Sequence, residues 1–89
     1  MAIYCVSYDL KTPGKKYEDL YDKLKSFNGY NHILDSTWLV CSNQTASDVY
    51  DTIQPAIDKN DSVFISKVNP NEYSGWLSQA AWDWIRRNM

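Results

Sequence analysis

Two internal stretches of this chain, besides its tail, carry apolar residues at helical spacing, and four short β-rich runs surround them in an order that admits few folds. Tyr17, Leu20, Tyr21 and Leu24 recur at i, i+3, i+4 and i+7, while Glu18, Asp19, Asp22, Lys23 and Lys25 fill the other face. Ala46, Val49, Tyr50, Ile53 and Ile57 make a second stripe, with Thr45 as its cap and Asp48 three residues later in the favourable first turn. Between the stripes lie "YNHIL" (30–34) and "TWLVCS" (37–42), split by the turn-prone Asp35-Ser36. "AIYCVSY" (2–8) precedes the first stripe and "VFISKV" (63–68) follows the second.

That order is βαββαβ. Right-handed crossovers then favour an antiparallel sheet in the order 4-1-3-2 with both helices on one face, which is the α+β ferredoxin-like sandwich. Eighty-nine residues form one domain, because so short a chain hides only ~60–65% of its extended surface and has no material for a second core. Residues 1–68 supply the βαββαβ core and residues 69–89 a loop and a C-terminal Trp-rich helix. The tail's Trp76, Leu77, Ala80, Ala81, Trp84 and Ile85 repeat at helical spacing, with Arg86 and Arg87 near the negative end of the helix dipole. Thr12-Pro13-Gly14-Lys15 reads as a type II turn, Asn28-Gly29 as a helix stop, and Pro55 as the cause of an irregular last turn in the second helix. The first strand is apolar on both faces. A sheet face carrying Tyr4, Val6 or Tyr8 cannot stay wet, so the Trp-rich tail or a second copy of the chain must cover it. A homodimer or higher homo-oligomer is therefore expected.

The net charge of −2 argues against a broad basic face of the kind that long nucleic acids require, although it permits a local basic patch. Cys5 and Cys41 both fall inside strand runs and read as small buried hydrophobes with free thiols. Nothing resembles a signal peptide, and no apolar run approaches ~18 residues, so a cytoplasmic protein without a membrane span is expected.

Chemistry concentrates where the first strand ends. In the 4-1-3-2 sheet, Asp9 shares an edge with Asp35 in one turn and Asp61 in another. A magnesium ion takes one or two such carboxylates together with water and phosphate oxygens, so Asp9, Asp35 and Asp61 are candidate metal ligands. Turn capping is the competing reading of these aspartates. Lys11, Lys15 and Lys16 surround Gly14 at the start of the first helix, where amides and dipole favour a phosphate, although a Walker P-loop motif is absent and exposed lysines are ordinarily only solvated. Trp76, Trp82 and Trp84 read chiefly as packing residues, and Trp82, which lies off the stripe of Trp76, Ala80 and Trp84, is the one among them for stacking on a base or sealing an interface. His32, the only histidine, has no ligand spacing around it and reads as a half-buried strand residue.

"SYDLKTPGKKYEDLY" (7–21), "LDSTWLV" (34–40) and "GWLSQAAWDWI" (75–85), together with the βαββαβ order, resemble SinR-like and VapD-like relatives of the small CRISPR-associated ribonuclease and spacer-integration subunit family. The resemblance implies a ferredoxin-like homodimer in which the aspartate closing the first strand, here Asp9, faces its symmetry mate and serves divalent-metal hydrolysis of RNA. Three functions follow as expectations. The first is a non-catalytic dimer that binds a nucleotide or nucleic-acid phosphate, in the setting of the relatives a sequestered signalling nucleotide in a phage-host defence conflict. The second is a magnesium-dependent endoribonuclease that uses Asp9. The third is a protein-interaction subunit.

Overall fold

The structure, a computed structural model, describes residues 1–12, 14 and 16–89. Pro13 and Lys15 of the expected turn lie outside the described residues. Gly14 between them has φ +76°, the left-handed region that a type II turn asks of its third residue.

The elements run β1 (Ala2–Asp9), α1 (Glu18–Leu24), β2 (Gly29–Leu34), β3 (Thr37–Ser42), α2 (Ala46–Ile53), β4 (Ser62–Lys67) and α3 (Gln79–Asn88). The four strands form one antiparallel sheet in the order β2-β3-β1-β4, the order that the crossovers dictate. At the start of α2, Thr45 Oγ1 accepts from the Asp48 amide and Asp48 Oδ2 accepts from the Thr45 amide, a reciprocal capping box. Pro55 lies in a 3-10 turn, Gln54–Ala56, that finishes this helix irregularly.

Alternation along β1 divides its side chains between two layers. Tyr4, Val6 and Tyr8 pack with Leu20 and Leu24 of α1 and with Val49 and Ile53 of α2. Ile3, from the opposite face, clusters with Leu39, Cys41 and Ile85 of α3, and Cys5 packs against this group. The face that the tail covers is thus the odd-numbered one, not the Tyr4, Val6 and Tyr8 face expected to need a cover. Both faces of β1 are apolar, so composition alone does not say which one the two long crossovers take.

Two further boundaries differ from expectation. Helix α1 ends at Leu24, and Gly29 opens β2 instead of stopping a helix. A Cβ on Gly29 would sit 3.2 Å from Cys41 Sγ and 3.6 Å from the Trp84 ring, so glycine is there to let β3 and α3 come close. The tail helix begins only at Gln79, because Ser78 is its cap and accepts from the Ala81 amide at 3.2 Å. Trp76 therefore precedes the helix and stands 97% exposed. Among the described residues no helix is long and apolar enough to cross a membrane.

Candidate functional site

The end of β1 is held from both sides. The Tyr8 amide donates to the Ser36 carbonyl at 3.1 Å, and Asp9 stands opposite Ser62 in the β1–β4 register. The β2–β3 turn, the start of β4 and the loop after β1 therefore meet at one end of the sheet. Asp9, Asp35 and Asp61 all lie there, each in a different role.

Asp61 is a staple. Its Oδ1 accepts from the Tyr17 hydroxyl at 2.6 Å, the Lys11 amide at 2.7 Å and the Thr12 hydroxyl at 3.2 Å, and its Oδ2 accepts from the Asp58 amide at 3.0 Å. Desolvation works to raise its pKa, but the hydrogen bonds from Tyr17, Lys11, Asp58 and Thr12 outweigh it and hold the carboxyl at about 2. Tyr17, expected as the first residue of the helical stripe, is instead the cap residue of α1. It takes a left-handed φ of 54°, and its hydroxyl both donates to Asp61 and accepts from the Thr12 amide at 3.0 Å. Such a backbone costs a non-glycine residue about 1–2 kcal/mol, and burial of the ring together with these bonds offsets it.

Asp35 is exposed in the β2–β3 turn, where its backbone carbonyl receives the Tyr8 hydroxyl at 3.3 Å and lies 3.1 Å from His32 Nε2. His32 is exposed rather than half-buried, and its ring stacks on Trp38 with centroids 4.3 Å apart. Asp9 is exposed and pairs with Lys11 Nζ at 3.2 Å. Among the described residues, no group of three His, Cys, Asp or Glu side chains is gathered closely enough to hold a metal ion. The three aspartates share an end of the sheet without forming such a group, because Asp61 is turned into the loop that it binds.

Of the loop residues, Lys11 is engaged with Asp9, Gly14 and Lys16 are exposed, and Lys15 lies outside the described residues. The amides of Lys11 and Thr12 are already committed to Asp61 and Tyr17. Glu18 and Asp19 occupy the first turn of α1, so its dipole is already complemented and the positive charge of this loop resides in its lysines. Trp82 is not a free surface ring. Starting the helix at Ser78 turns Ala81 and Ile85 to the sheet, which leaves Trp82 half-buried against the second cluster and stacked on Tyr73 at 6.3 Å.

An exposed aromatic does stand on the sheet. Leu34, Thr37, Ser7 and Phe64 form one row across β2, β3, β1 and β4 on the α3 side, with Ser7 Oγ and Thr37 Oγ1 3.2 Å apart. Phe64 is 70% exposed and Leu34 53%. Phe64 shares a shallow surface depression with Ser7, Asp9 and Ser62. Sequence reasoning passed over Phe64, although the alternation of "VFISKV" carries the signal, since Val63 and Ile65 take the covered face and leave Phe64 on the other. A scan against protein-family models finds no match, and a search of the solved structures finds none either.

Proposed function

We propose that the chain is a ferredoxin-like homodimer that binds a nucleotide-type ligand, or a short stretch of nucleic acid, between its protomers. Phe64 supplies the stacking surface for a base, and Lys11 and Lys16, with Gly14 and Lys15 of the same loop, meet the phosphate. The observation that carries this reading is Phe64 itself, a large aromatic standing out of a sheet face beside the hydroxyls of Ser7 and Ser62 and the Asp9–Lys11 pair. Every base has a π-face, so stacking of this kind tolerates different bases. A net charge of −2 favours a small anion over a long polyanion. The same side of the sheet supports the dimer, since Leu34 and Phe64 remain exposed there after the tail has packed. Calorimetry against mono-, di- and cyclic nucleotides and short RNA tests the binding. Heat from at least one class is expected, and silence across the panel overturns it.

A second reading has its own observation. Asp9 is the one carboxylate of the three that ends a central strand with only an exposed ion pair, while Asp61 is spent on four hydrogen bonds. A magnesium ion bound through Asp9, or through Asp9 of both protomers, would make the dimer an endoribonuclease. RNA cleavage with magnesium that disappears in Asp9→Ala supports it. Cleavage unchanged in that variant excludes it.

A further inference from the structure

Between the α3 tail and the sheet lies a cavity of about 190 Å³, walled mainly by apolar groups that include Cys5, Ile33, Leu39, Leu77, Trp82 and Ile85. An apolar cavity of about 150 Å³ stays dry and holds a benzene, so this larger one accepts a bicyclic ring. Left empty, its walls forgo dispersion contacts that a filled core would make. Next to it in the chain stands the opposite anomaly. Trp76 is 97% exposed, yet Ser74 before it and Leu77 after it both line the cavity.

We infer that Trp76 of a second copy of this chain fills the cavity, and that the insertion is reciprocal. This rests on the homodimer reading above but on no ligand. Knob and hole are one residue apart on the chain, so a two-fold axis beside this loop would bring each Trp76 to its partner's cavity and close the assembly. The interface is small. A buried tryptophan removes about 150–250 Å² from water, so two indoles give roughly 300–500 Å² before the surface of the walls is added. Tyr73 and Met89, both on the cavity wall and each 38% exposed, extend the contact towards the ~1,200 Å² at which stable interfaces begin. Trp76 is then the central anchor of a small interface, the position in which tryptophan most often dominates binding.

Sedimentation equilibrium at about 100 µM, a concentration suited to an interface of low area, tests this with the wild type, Trp76→Ala and Cys5→Leu. The wild type is expected at twice 10.4 kDa. Trp76→Ala, altered at a fully exposed position that the fold does not use, is expected to keep its circular dichroism and weaken the dimer at least about 30-fold. Cys5→Leu fills the hole from the wall side and is expected to weaken the dimer as well. A dimer that survives Trp76→Ala overturns the insertion and leaves the homodimer standing. A monomeric wild type overturns both. If the tryptophan emission lost in Trp76→Ala is that of a buried ring in wild type diluted to monomer, the occupant is the chain's own Trp76 and the reciprocal exchange is refuted.

Discussion

The Tyr17 hydroxyl donates to Asp61 Oδ1 over 2.6 Å and ties together residues 44 positions apart. With the Lys11 and Thr12 donors it fastens the loop after β1 to the start of β4, and so fixes where Asp9 and Lys11 stand. The Asp61 carboxyl ionises at about 2 in the folded chain against an ordinary 3.8. A depressed carboxyl pKa contributes stability that is present above the unfolded value and is lost as pH falls through the folded one. Denaturant midpoints should therefore fall between pH 3.8 and about 2. Asp61→Asn should lower the midpoint at pH 7 and flatten that fall. Parallel curves for the two proteins would show that Asp61 is not the staple.

Tyr8 and Asp9, adjacent at the end of β1, do different work. The Tyr8 ring is buried in the helix layer, where its hydroxyl accepts from Trp38 Nε1 at 3.0 Å and donates to the Asp35 carbonyl. Tyr8→Phe leaves the buried indole N–H of Trp38 without its acceptor, which should cost about 1–3 kcal/mol in urea unfolding. Burial raises the Tyr8 pKa, and the Trp38 bond only partly counters it. The ultraviolet phenolate titration of the wild type should therefore contain one tyrosine that ionises later than an ordinary phenol, and Tyr8→Phe should remove it.

Sheet order, the capped second helix and the irregular turn at Pro55 were legible, because the first follows from element order and crossover handedness and the others from local periodicity or from a residue with one structural use. Thr45 and Asp48 reach each other across three residues, and the hydrophobic stripe of α2 needs only its own sequence. What was not legible depends on distant contacts. Nothing near Tyr17 in sequence announces that its ring belongs to a left-handed cap, because the bond that rewards this conformation comes from Asp61. The spacing of Trp76 and Ala80 suits a helix, yet Ser78 is the better cap and Leu77 finds a place in the second cluster without helical geometry. The site itself was half legible. The convergence of Asp9, Asp35 and Asp61 on one end of the sheet follows from topology, whereas their division into rim, turn and staple follows from hydrogen bonds that topology does not specify.

Asp9→Asn separates function from folding. The Asp9–Lys11 pair is exposed on both sides, and such pairs contribute about 0–1 kcal/mol. The thermal transition should move by no more than a few degrees, and added salt should shrink the difference. A larger loss would mean that Asp9 secures the loop, in which case an inactive variant says nothing about chemistry. With stability preserved, magnesium-dependent RNA cleavage by wild type and variant reads Asp9 directly.

Phe64 decides the binding reading. Its neighbours Val63 and Ile65 pack against the helix layer, while its own ring is 70% exposed on the opposite face. Truncation should therefore cost the fold little, within about 1 kcal/mol, most of it lost strand preference. A base stacked on an aromatic ring is worth about 1–3 kcal/mol, so Phe64→Ala should weaken a nucleotide-type ligand roughly 5- to 150-fold. Phe64→Tyr keeps the ring and should keep the affinity. Phe64→Leu keeps bulk without a π-face and should fall near the alanine variant. Equal binding by leucine and phenylalanine would assign the site to apolar contact, and unchanged binding by Phe64→Ala would move the ligand away from this face of the sheet altogether.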